Sequence, residues 1–267
     1  GWNEHGQLGL GSTTDSLTPQ SVDFSSPLAC TIGGESATMA GSGTSWTAGL
    51  TLSGDETEGA ATFSCASHAD TAGNAGAADT SADSGSVTID LTGPTVSSIT
   101  LSDTALKTGD TATVTIVFSE AVAGFASADV TVGSGSLSSM TSSDDITWTG
   151  TFTPTADTED SSNTVAVATS YTDSAGNTGA VGTSANYEVD TLAPTLTIAI
   201  ASDNSDTSLA KSGDTITLTI TASESVTGLA CTIDGEAATM AGSGTSWTAS
   251  LTLSGDETEG AATFSCA

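Results

Sequence analysis

The side chains in this sequence that could do chemistry are mostly carboxylates. The chain carries 32 acidic residues against Lys107 and Lys211, with no arginine, four cysteines and only His5 and His68. Carboxylate and amide oxygens are hard donors that suit calcium, and Asp90, Glu120, Asp173 and Asn177 form one candidate set, with Asp190 and Glu224 the start of a second. Cys30 and Cys65 are 35 positions apart, as are Cys231 and Cys266, and neither pair lies in the CxxC spacing of a zinc site. Each pair is therefore read as a disulfide, the alternative being buried free thiols. The reading rests on the two members being present or absent together: residues 94–192 hold no cysteine.

Enzymatic chemistry finds little support. A general base needs a partner at a fixed position, and neither histidine has one in sequence. No nucleophile elbow, HExxH, P-loop or EF-hand pattern occurs. The clusters Asp55-Glu-Thr-Glu58, Asp144-Asp145 and Asp157-Thr-Glu-Asp160 read as solvated turns, and His68 as a solvated imidazole. No catalytic residue and no required cofactor are expected, only a possible structural calcium.

Strands must position these groups. In Thr215–Ala222 every second residue is apolar and the intervening ones are all threonine, the pattern of a half-buried strand. The same alternation places Ala112, Val114, Ile116 and Phe118 on one face, and likewise Ile146, Trp148 and Phe152, and Trp247, Leu251 and Leu253. Trp46, Trp148 and Trp247 all fall on the apolar side and read as core. Turn residues punctuate the runs, as in Lys107-Thr-Gly-Asp110 and Asp173-Ser-Ala-Gly-Asn177. Many short alternating strands without helical periodicity predict an all-β chain of face-to-face sandwiches.

Self-comparison sets the repeat. Leu28–Ala66 and Leu229–Ala267 match at an offset of 201, differing only at Gly33/Asp234, Ser36/Ala237 and Gly49/Ser250. Asp90-Leu-Thr-Gly-Pro94 and Asp190-Thr-Leu-Ala-Pro194 bracket a diverged unit between them. The expected organisation is 1–26 apart from the rest, a unit at 27–93 lacking its first strands, a complete unit at 94–192, and a unit at 193–267 lacking its last strand. The chain starts without methionine and stops inside a repeat, and so reads as a piece of something longer.

In such a sandwich the loop between the second and third strands and the last hairpin share the pole at which the chain arrives. That topology gathers Asp90 of the linker, Glu120, Asp173 and Asn177, and would place Asp190 and Glu224 at the next joint. A calcium ion there would offset their repulsion and stiffen the joint; alternatively, Asp and Asn simply build turns. The formal charge of −30 disfavours nucleic acid and anionic membranes as partners. No apolar run is long enough to span a bilayer.

The units at 27–267 resemble the bacterial-type immunoglobulin-like domains found in tandem in surface adhesins. The residues that carry the likeness are Lys107-Thr-Gly-Asp110, Lys211-Ser-Gly-Asp214, Phe118-Ser-Glu-Ala-Val122, Thr155-Ala-Asp-Thr-Glu159, Asp173-Ser-Ala-Gly-Asn177 and Asp190-Thr-Leu-Ala-Pro194. This resemblance implies a non-catalytic stalk or adhesive array, extracellular or at the cell surface, with an unidentified extracellular ligand. Gly1-Trp-Asn-Glu-His-Gly-Gln-Leu-Gly-Leu-Gly11, followed by Leu17-Thr-Pro-Gln-Ser-Val22, resembles one repeat of the RCC1 family of β-propellers. Two other functions stay open: a carbohydrate-type recognition module, and the flank of a propeller regulatory protein.

Overall fold

The computed structural model describes residues 28–66, 68–70, 72–257 and 259–267; the RCC1-like segment and His5 lie outside them. Among the described residues there is no α-helix, only strands and one 3-10 turn at Ser127–Asp129. The architecture is all-β, built of immunoglobulin-like sandwiches of which the first and last are partial.

The middle sandwich has two layers. Its first sheet runs in the order Gly135–Leu137, Thr147–Pro154, Ala112–Phe118, Val96–Leu101, with Thr141–Ser142 also paired to Thr147–Pro154. The facing layer comprises two ribbons. One is Val130–Val132, Val165–Val167 and Gly182–Thr183; the other is Glu159–Asn163, Tyr187–Asp190 and Ala105–Lys107. The last two strands pair parallel, with Val189 opposite Leu106, which ties the chain's return to its start. Alternation does what the sequence predicts: Ala112, Val114, Ile116 and Phe118 are all buried, and their threonine neighbours lie on the other face. The buried residues share this core with Phe152, Tyr171, Tyr187 and Val189. Each buried tyrosine places its hydroxyl on a carbonyl, Tyr171 on Ala180 and Tyr187 on Gly133, so the rings contribute apolar area without leaving an unpaired polar atom.

The third sandwich repeats the first sheet as Leu196–Ser202, Thr215–Ala222, Ser246–Thr252, Thr239–Ser243. Ile216, Leu218 and Ile220 pack on Cys231, Ile233 and Ala249. In the first sandwich the described strands are Glu35–Ser36, Ala29–Ile32 and Phe63–Ala66 in one sheet, the hairpin Thr38–Ser42 with Ser45–Gly49, and the pair Gly59–Ala60 with Thr88–Ile89.

The tryptophans meet the core expectation in part: Trp148 and Trp247 pack against the cores of their sandwiches, and Trp46 departs from it. Trp148 and Trp247 are half-buried and Trp46 is 44% exposed. Each indole N–H instead donates to the carbonyl three residues earlier: Trp46 to Gly43, Trp148 to Asp145 and Trp247 to Gly244. A tryptophan at the start of a strand thus clasps the preceding turn, and its depth depends on what lies across from it. His68 also departs from a fully solvated reading. It is half-buried, and its Nδ1 is buried without a hydrogen-bond partner.

Candidate metal centre

The linker Asp90–Pro94 reaches the middle sandwich beside the turn that holds Asp173 and Asn177. Gly93 permits the approach: a Cβ there would fall 2.1 Å from the Thr178 carbonyl oxygen, so no larger residue fits without moving the linker. The turn itself is built by Asp173. Its Oδ1 accepts from the backbone N–H of Gly176 (2.7 Å) and Asn177 (2.9 Å), and its Oδ2 accepts from the Asn177 side-chain amide (2.7 Å). The same amide donates to the Asp90 carbonyl (3.0 Å), tying turn to linker across 87 positions of sequence.

Glu120 completes the cluster from the loop after Ala112–Phe118. Carboxylate oxygens of Asp90, Glu120 and Asp173 all lie within 4.8 Å of one another. Loss of water, followed by the charges of Asp90, Asp173 and Glu58, pushes the Glu120 carboxyl up. Asp173 is only 2% exposed. Its burial would raise its carboxyl, but the Asn177 amide and the backbone N–H groups of the turn outweigh that and hold it below the usual range. The Asp173 carboxylate is therefore committed to the turn, and Glu120 meets the field of its acidic neighbours. Close like charges of this kind favour a cation.

The donor set fits a hard divalent ion in part. Three carboxylates supply a portion of the roughly six to eight oxygens that calcium takes, at a site open enough for water to supply others. Asn177 does not join as an oxygen ligand in this arrangement, because its NH2 group faces Asp173 and Asp90. It positions the acids instead. The turn Asp70–Asn74 repeats this chemistry, with Asp70 Oδ2 accepting from the Asn74 amide at 2.8 Å; the Asp–Asn turn therefore forms by itself, and the addition of Glu120 and Asp90 distinguishes the site at 173–177.

Asp190 and Glu224 line one groove together with Lys107 and Pro194. Among the described residues no third acid joins them. The position matching Gly93 is Ala193, and no counterpart of the Asp173 turn occurs in 193–267.

Glu58 belongs to the joint although its sequence context reads as a solvated loop. It accepts from the Leu91 N–H at 3.0 Å and from the Thr92 hydroxyl, and these bonds, the Thr92 hydroxyl first, lower its carboxyl. With 33 positions between the partners, no local signal announces the contact.

The cysteines are joined as Cys30–Cys65 and Cys231–Cys266. Each bridge links directly opposed residues of neighbouring antiparallel strands, so it lies within one sheet rather than between two.

Comparison with known proteins places these features in context. No curated protein matches the chain significantly. Among solved structures, the chain is similar to the plexin A4 extracellular region, domains 1 to 8, at 12% identity and a TM-score of 0.26; the match covers 90% of this chain and 29% of that one. The chain thus spans under a third of the plexin chain's length. Residues 1–44 match the family model described as the regulator of chromosome condensation (RCC1) repeat. The part of that match from 29 to 44 forms strands of the first partial sandwich, in a segment that recurs at 230–245. Residues 90–189, which contain Asp90, Glu120 and Asp173, match the family model of the bacterial Ig-like domain.

Proposed function

We propose that the chain is a non-catalytic extracellular spacer or adhesion array, with units at 27–93, 94–192 and 193–267, whose joint at residue 90 is stiffened by calcium. The observation that carries the reading is the meeting of Asp90, from the linker, with Glu120 and Asp173, from the body of the next sandwich, within 4.8 Å. A cation held by both would restrict the linker while neutralising like charges that otherwise push it away. Two disulfides support an oxidising compartment. Both matched families are of non-catalytic kinds, which supports a structural role. The partner class is an extracellular or cell-surface ligand; among the described residues no helix is long and apolar enough to cross a membrane.

Melting the protein in calcium and in chelator at equal ionic strength tests the joint. The middle transition rises in calcium, and the rise disappears in Glu120→Gln. An identical melting curve in both buffers removes calcium from the account.

A further inference from the structure

The chain carries one disulfide twice, in two settings. Ala29-Cys-Thr-Ile32 recurs as Ala230-Cys-Thr-Ile233, and Phe63-Ser-Cys-Ala66 as Phe264-Ser-Cys-Ala267. Both bridges join directly opposed residues of neighbouring antiparallel strands. Local sequence and register are therefore equal, and a difference in reactivity must come from what surrounds the sulfurs.

The surroundings differ. In the third sandwich Cys231 belongs to the core with Ile216, Leu218 and Ile220, and Cys266 packs against the same cluster. Those three residues come from Thr215–Ala222, which pairs with Ser246–Thr252 along its length. In the first sandwich both cysteines instead line an apolar groove with Ile32, Phe63 and Val87. Among the described residues the matching strand, Ser45–Gly49, pairs only with Thr38–Ser42, so its other edge is free. Leu52 and Val87 in the groove wall are 45% and 69% exposed. Cys30 is buried and Cys65 half-buried, so Cys65 offers the more open sulfur. Its backbone exchanges two bonds of 2.9 Å with Asp79, which holds the strand in place when the sulfur is attacked.

We propose that Cys30–Cys65 is a thiol–disulfide exchange site for small thiols without net negative charge, while Cys231–Cys266 stays closed in the folded chain. The incoming thiolate attacks Cys65 Sγ, forms a mixed disulfide and expels the Cys30 thiolate, which takes up the proton that the thiol lost. A second thiol attacks the small-molecule sulfur of the mixed disulfide. Cys65 leaves as a thiol and the two small thiols leave as their own disulfide, so two electrons pass to the protein. Accessibility selects the bridge that exchanges, because exposed disulfides are the labile ones. Charge selects the thiol. Asp90 is the one charged residue lining the groove on a chain of net charge −30, so a thiol bearing carboxylates is repelled and one bearing an amine is not.

Brief treatment of the native full chain with cysteamine, alkylation of the freed thiols and mass spectrometry after cleavage at acidic residues read both bridges at once. The Gly33/Asp234 difference separates the Cys30 and Cys231 peptides, and the residues after Ala66 separate Cys65 from Cys266. Alkylated Cys30 and Cys65 beside unlabelled Cys231 and Cys266 is the expected result. At low salt glutathione, matched for thiolate concentration, should react more slowly than cysteamine, and added salt should narrow the gap. In urea that unfolds the chain the two bridges should react equally. Equal labelling of the bridges in the native chain, or earlier labelling of Cys231–Cys266, overturns the proposal. Faster reaction of Cys30–Cys65 in the unfolded chain also overturns it, since the preference then lies in the local sequence. A native rate that climbs steeply in urea too dilute to unfold the chain marks attack on an opened unit and overturns it as well, as does parity of the two thiols at low salt.

Discussion

Asn177 illustrates how much of the joint a single residue controls. Its amide is the bond between turn and linker, and neither end of an asparagine is distinguishable in sequence as donor or acceptor. The acids themselves were legible, since the linker, the loop after a buried strand and the turn pattern all carry recognisable residues; the amide's direction and the reach of Glu58 were not, because both depend on contacts between distant positions. Removing the amide with Asn177→Ala leaves Asp173 Oδ2 and the Asp90 carbonyl without their donor, and the middle unit should lose about 1–3 kcal/mol by urea denaturation. Glu257 offers a pH test away from the joint. The backbone N–H groups of Ser254 and Gly255 donate to its carboxylate and, with that of Glu257 itself, lower its pKa from 4.5 to about 2. A depressed carboxyl contributes stability above its unfolded pKa and loses it as pH falls through the folded value. Glu257→Gln should therefore be less stable than the parent at neutral pH, and the gap should close between pH 4.5 and about 2, as followed by circular dichroism during acid titration.

Strands were the most legible elements, because a period of two states which side is apolar. Ile116 sits opposite Ile99 and Trp148 on the buried face of the middle sandwich, and Ile116→Ala should cost about 2–5 kcal/mol in chemical denaturation. Depth was less legible than side. Trp46 and Trp247 occupy equivalent places in near-identical segments, yet one is exposed and the other half-buried, because burial is set by the opposing strand and not by the strand itself. The cysteine pairing was readable from spacing and from the cysteine-free middle unit. Its position across two adjacent strands of one sheet was not, since spacing does not reveal register. Opening the loop between Cys30 and Cys65 with a double serine variant should lower the stability of the first unit by about 3–4 kcal/mol if the unfolded chain gains the corresponding freedom, measured by the denaturant midpoint with and without reductant.

Across the whole molecule, charge and repetition act together. A net charge of −30 makes neighbouring sandwiches repel, and repulsion between exposed groups fades beyond a Debye length of about 10 Å at 0.1 M salt. The linker at residue 90 brings Asp90 together with Glu120 and Asp173, so a cation there changes the joint more than the same cation on an open face. Isothermal titration of calcium into the full chain at fixed ionic strength measures this most directly. One saturable site that is lost in Glu120→Gln is the predicted result. Weak, unsaturating heats that are the same in the parent and the variant would contradict the calcium-stiffened joint.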